Sequence, residues 1–131
     1  MIRQRLVIAL AALVAMPAFA QQPPPSAKET SVLQRVPING TDREMGLGIA
    51  VFPPHAAKSR HAASGPELCF VLDGDVTVQV DGQPTRVVHK GETFQLPAYA
   101  LHTTTAGPDG ARVLASWANV PGQPFNLPGP R

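Results

Sequence analysis

The chain has 131 residues, 44% hydrophobic and 15% charged, enough for one domain and too few for a multidomain enzyme or a nucleotide-binding sheet of ordinary size. Its formal charge of +2 includes Arg3 and Arg5. Without those two the acidic and basic residues balance, so charge gives no argument for nucleic acid or an anionic membrane as a partner.

Residues 1–20 have the three parts of a secretory signal. Arg3 and Arg5 make a positive start, Leu6 to Met16 form an apolar run, and Ala18-Phe19-Ala20 supplies small residues at a cleavage site. The run is shorter than the roughly 20 residues a membrane helix needs. Cleavage is expected after Ala20, leaving a periplasmic or secreted protein without a stable membrane span. Residues 21–30 then form a linker in which Pro23, Pro24 and Pro25 enforce an extended chain. Cys69 is the single cysteine, so the core stands without a disulfide.

No segment after residue 20 carries a helical period. Short apolar runs separated by turn residues dominate, the pattern of a small antiparallel β-barrel. Gly46 to Phe52 is a strand ended by Pro53-Pro54. Leu68 to Leu72 leads to a turn at Asp73-Gly74. Val76, Val78 and Val80 then alternate with Thr77 and Gln79, which predicts one buried and one wet face. Asp81-Gly82 turns the chain into Thr85 to His89, and Thr93 to Leu96 follows Gly91. Leu101 to Thr105 is a short strand, Gly107-Pro108-Asp109-Gly110 a turn, and Arg112 to Trp117 the last strand. The Pro/Gly-rich end after Val120 is an ordered arm or a disordered tail.

Two stretches carry chemistry. In PHAAKSRHAASGPELCFVLDG, His61 is followed by Glu67 and then Gly74; in GETFQLPAYALHTTTA, Gly91 is followed by Pro97 and His102. On these residues the chain resembles the cupin family, whose motifs read G-x5-H-x-H-x3-4-E-x6-G and G-x5-7-P-x-G-x2-H-x3-N. The resemblance covers roughly residues 45–118 and implies an all-β, antiparallel jelly-roll barrel. It divides the chain into a signal peptide (1–20), a Pro-rich linker (21–30), the barrel (31–120) and a Pro/Gly-rich C-terminal tail (121–131).

The match implies that His61, Glu67 and His102 line the lumen and hold a divalent metal (Fe, Mn, Ni or Zn). It departs from the motifs at four places: the second histidine falls on Ala63, the first glycine near His55, the glycine after the proline on Tyr99, and the final asparagine on Ala106. Cys69 shares the face of Glu67 on a regular strand and is either a further ligand or a buried small hydrophobe. His55 is a second candidate ligand. Tyr99 either keeps a strained glycine-like backbone or marks a changed loop that brings its phenol to the ligand; the changed loop is expected. His89 is expected outside the pocket. The remaining wall should be apolar, with Val71, Val78, Phe94, Leu96 and Trp117.

The resemblance implies a small organic molecule in the lumen and a homodimer. Two functions follow: a metal-dependent dioxygenase, isomerase or hydrolase, or a metal-free binding or sensing module.

Overall fold

The computed structural model describes residues 23 and 25–130. Among them lie eight strands: β1 (Ser31–Pro37), β2 (Glu44–Phe52), β3 (Ala57–Ala63), β4 (Glu67–Val80), β5 (Arg86–His89), β6 (Thr93–Leu96), β7 (His102–Asn119) and β8 (Asn126–Pro128). All ladders between them are antiparallel, in the order β1-β2-β7-β3-β8, with β4 joined to β5, β6 and β7. The expected leader, with its cleavage site after Ala20, lies outside the described residues.

β4 and β7 form the spine of the curled sheet, and both overturn an expected turn. Asp73-Gly74 and Gly107–Gly110 do not reverse the chain; each lies inside one long strand. The inward-facing residues change parity there: Cys69 and Val71 before, Val76, Val78 and Val80 after in β4; His102, Thr104 and Ala106 before, Ala111, Val113, Ala115 and Trp117 after in β7. A parity change is what a bulge produces, since one extra residue flips the alternation. Gly74 and Gly110 both have positive φ (72° and 74°), and a Cβ on Gly74 would stand 2.0 Å from the Gly110 oxygen. The two strands therefore bend together, backbone against backbone, and close the sheet into a barrel. By contrast, Asp81-Gly82 does turn the chain, from β4 to β5.

The predicted alternation after Gly74 holds: Val76, Val78 and Val80 are buried, while Gln79 is exposed. Val71, Val76 and Val88 are sealed completely in the core.

Both ends of the described residues lie against the barrel. Ala57 donates its N–H to Pro25 O (3.2 Å) and accepts from Ala27 N–H (3.1 Å), so the end of the linker runs along β3. The C-terminal segment is an ordered arm through Pro130. Ser64 donates its N–H to Phe125 O (2.8 Å) and its hydroxyl to Pro124 O (3.0 Å), and β8 then pairs with His61–Ala63 of β3.

Two non-glycine residues among those described have positive φ, His55 (59°) and Tyr99 (62°). They stand where the cupin motifs carry glycine. The backbone keeps the motif's conformation although the side chains have changed, and each residue is tied by its N–H: His55 to Gly107 O (3.0 Å), Tyr99 to Ala63 O (2.7 Å). The changed loop expected at Tyr99 is therefore not found. A tyrosine in the left-handed region costs of order 1 kcal/mol or more, and this one is 67% exposed, with little packing to offset it. Tyr99→Gly should stabilise the protein by up to about 1 kcal/mol, less what glycine adds to unfolded-chain entropy. A melting temperature a few degrees higher bears this out; an unchanged or lower one contradicts it.

Candidate functional site

β3 and β7 bring two imidazoles side by side. His61 and His102 are direct cross-strand partners, with ring centroids 4.4 Å apart and planes inclined by 61°. A bulge makes this possible. Lys58 pairs with Thr104 and His61 with His102, so three steps along β3 match two along β7. Residues three apart on a regular strand face opposite sides; the extra residue turns Lys58 and His61 to the same side. Together with Thr104 and His102 they line one cavity of about 550 Å³.

Backbone carbonyls hold both rings. His61 Nδ1 lies 2.7 Å from Ser59 O, in the bulge, and His102 Nδ1 lies 2.9 Å from Ala100 O. A carbonyl only accepts, so each ring donates from Nδ1 and leaves its lone pair on Nε2. Burial pushes the pKa of His102 below the usual histidine range, against the opposing pull of the Ala100 bond. His102 is accordingly a neutral imidazole at neutral pH.

Glu67, at the start of β4, lines the same cavity. Burial raises its carboxyl above the usual range, and the Lys58 charge acts the other way. The three residues singled out by the sequence thus share one cavity. Among the described residues, however, no three His, Cys, Asp or Glu side chains stand together as a group able to hold a metal ion. The imidazole pair has the donor chemistry for a divalent ion, with an outer hydrogen bond on each Nδ1 and Nε2 left to act as the donor atom. Glu67 supplies a carboxylate in the same cavity without closing on the pair.

Cys69 also lines the cavity, on the face it shares with Glu67. Burial, with the Glu67 charge adding to it, pushes its thiol up to about 12, so it is a buried small hydrophobe in character and not a thiolate. Ala63 is wholly buried; Asn126 of β8, its register partner, lines the cavity. His55 and Tyr99 lie exposed outside the cavity lining, so neither candidate is brought to the imidazoles. His89 is also outside, bonded to Asp75 (2.9 Å), an interaction that raises its pKa.

Phe94, Leu96 and Trp117 form the apolar wall as expected, joined by Val113. Val71 and Val78, expected there, belong to the sealed core. Trp117 is seated over Gly46: a Cβ at that glycine would stand 2.2 Å from the indole. Lys58, Arg35 and the arm residues Phe125 and Asn126, which no motif singles out, also line the cavity. No local pattern marks them; a bulge and a returning arm bring them in.

Residues 48–117, more than half of the chain, match the cupin domain family. This chain is a cupin. It is 38% identical over 89 residues to dimethylsulfoniopropionate lyase DddW of Ruegeria pomeroyi, and the match covers 66% of the cupin and 58% of the lyase. The chain thus spans under two thirds of that relative's length. Among solved structures, a cupin-like protein from Thermotoga maritima superposes with a TM-score of 0.55 at 26% identity, covering 65% of each chain. DMSP lyase DddQ from Ruegeria pomeroyi superposes with a TM-score of 0.57 at 19% identity, covering 64% of the cupin and 42% of DddQ, a likeness of fold alone.

The state of Cys69 is directly testable. Iodoacetamide at pH 8 should leave it unmodified in the folded cupin and alkylate it after denaturation, read by mass spectrometry. Rapid alkylation of the folded protein would contradict the buried, protonated thiol.

Proposed function

We propose that this cupin is an exported, metal-dependent enzyme that cleaves a small organic acid inside its barrel, with a dimethylsulfonium-bearing propionate as the reference substrate. The cupin resemblance alone implies dioxygenation, isomerisation or hydrolysis; the 38% identity to a dimethylsulfoniopropionate lyase favours elimination instead. The observation that carries the proposal is the imidazole pair, two rings 4.4 Å apart with both Nδ1 atoms committed to backbone carbonyls. His61, His102 and Glu67 would hold the ion, which when bound supplies a Lewis acid.

The chain's own groups supply the rest of the environment. Phe94, Leu96, Val113 and Trp117 present an apolar wall, and Phe125 of the arm packs on Trp117 (5.7 Å between ring centroids). In an elimination, a base takes the proton from the carbon beside the carboxylate, the C–H electrons become the C=C bond, and the carbon–sulfur pair departs with dimethyl sulfide, leaving acrylate and the protonated base. Export rests on residues 1–20, which read as a cleavable leader. A homodimer is part of the same proposal, supported by an outward apolar stripe of Met45, Leu47, Leu68 and Phe70.

A second reading, metal-free binding of a small molecule, is favoured by the buried Ala63 at a motif ligand position and by the separation of Glu67 from the imidazoles. One experiment separates the two. Protein purified from the periplasm and reloaded with Fe(II), Mn(II), Ni(II) or Zn(II) should carry about one ion per chain and release dimethyl sulfide from dimethylsulfoniopropionate. His102→Ala should lose both, activity falling by more than the roughly 100-fold that loss of an outer partner alone can cost. Metal-free protein that binds the acid unchanged after reloading would support the second reading and end the first.

A further inference from the structure

We infer that Lys58 is the anion anchor of the cavity, the group that grips the carboxylate of the small organic acid. This rests on the reading of the cavity as an organic-acid site and names the residue that selects that class of ligand.

The placement of Lys58 is the first ground. The β3 bulge puts it on the same side as His61, opposite Thr104, so an ammonium stands on the wall that carries the imidazoles. In a regular strand one of the two would face away.

Its bonding is the second ground. The one hydrogen bond Lys58 Nζ makes among the described residues goes to Thr30 Oγ1 (2.8 Å), and no described carboxylate lies within ion-pair distance of it. An ammonium has three donors and no acceptor. A partly buried one held by a single hydroxyl has capacity left for an anion. Arg35, the other cation of the lining, differs: it is paired with Glu44 and lies over the Trp117 ring at 5.8 Å. Its charge is already engaged.

The surroundings of Lys58 are the third ground. Glu67, Cys69 and His102 line the same cavity. The ammonium therefore belongs to the polar part of the cavity. A carboxylate bound to it leaves the remainder of a short acid between the imidazoles and the apolar wall.

A plainer role is also available to Lys58. Its bond to Thr30 staples the N-terminal segment to β3, and its charge offsets Glu67. A staple or counter-ion affects melting; it does not make the cavity choose a carboxylate over a neutral isostere.

The test uses the full mature chain without metal, so that it does not depend on catalysis. Trp117 is the chain's single tryptophan and lines the cavity, so its fluorescence reports binding. Propionate and its neutral isostere propionamide are titrated into wild type, Lys58→Met, Lys58→Gln and Lys58→Arg, with thermal melting as the check on folding. Wild type should prefer propionate. Each neutral variant that remains folded should lose that preference, with propionate binding weakened at least tenfold and propionamide binding unchanged; Lys58→Arg should keep most of it. Wild type without the preference, or neutral variants that retain it, would overturn the assignment, as would variants that differ only in melting. If both neutral variants fail to fold, Lys58→Arg decides: loss of the preference in that folded, still cationic variant overturns the anchor. An anchor that passes in a protein releasing no dimethyl sulfide would leave Lys58 assigned and remove the lyase reading alone.

Discussion

The site depends on one irregularity in β3. By inserting one residue against β7 between Lys58 and His61, the bulge turns both side chains into the lumen and frees the Ser59 carbonyl to hold the His61 ring. The Ala100 carbonyl does the same for His102 from the other strand. Two rings with Nδ1 committed and Nε2 directed away from these bonds are thus fixed by backbone alone, without a carboxylate hydrogen-bonded to either. Backbone clamps of this kind add no charge to the cavity, which leaves its electrostatics to the charged side chains of the lining, Lys58 and Glu67 among them.

The container around the pair depends on a second irregularity. β4 and β7 bend at the same level, where Gly74 and Gly110 touch, and each resumes with its inward parity changed. The change puts Val113, Ala115 and Trp117 inward beyond the bend, while His102 and Thr104 face inward before it. One strand therefore supplies both an imidazole and the aromatic wall. Gly46 leaves the space that the Trp117 indole fills, and the arm brings Phe125 onto that indole. The described end segments, with little core-forming sequence of their own, complete the pocket because Ala57 of β3 and Ser64 just after it offer them backbone partners.

Much of this was legible in the sequence, and the failures have physical causes. Alternation at Val76, Val78 and Val80 exposed the buried face of β4 because packing acts on every second residue there. The motif spacing picked out His61, Glu67 and His102, and all three line one cavity. Asp73-Gly74 and Gly107–Gly110 misled because glycine at positive φ serves a shared bend as well as it serves a reversal. β1 escaped notice because all seven of its residues are exposed and no alternation is imposed on it. β3 did because AKSRHAA is short of β-branched residues and its bulge breaks the period. Lys58 could not be found at all by spacing: three before a histidine is the wrong parity until the bulge is known. The glycine positions of the motif, lost from the sequence at His55 and Tyr99, survive in the backbone as positive φ.

The central claim is that the backbone fixes the tautomer of both imidazoles before any ligand arrives. Long-range proton–nitrogen NMR correlation of the histidine rings in the metal-free protein at neutral pH measures this directly. The account predicts that His61 and His102 both carry their proton on Nδ1 and show an unprotonated Nε2. Either ring protonated on Nε2 would contradict it, because the carbonyl clamp and the open lone pair would then both be gone.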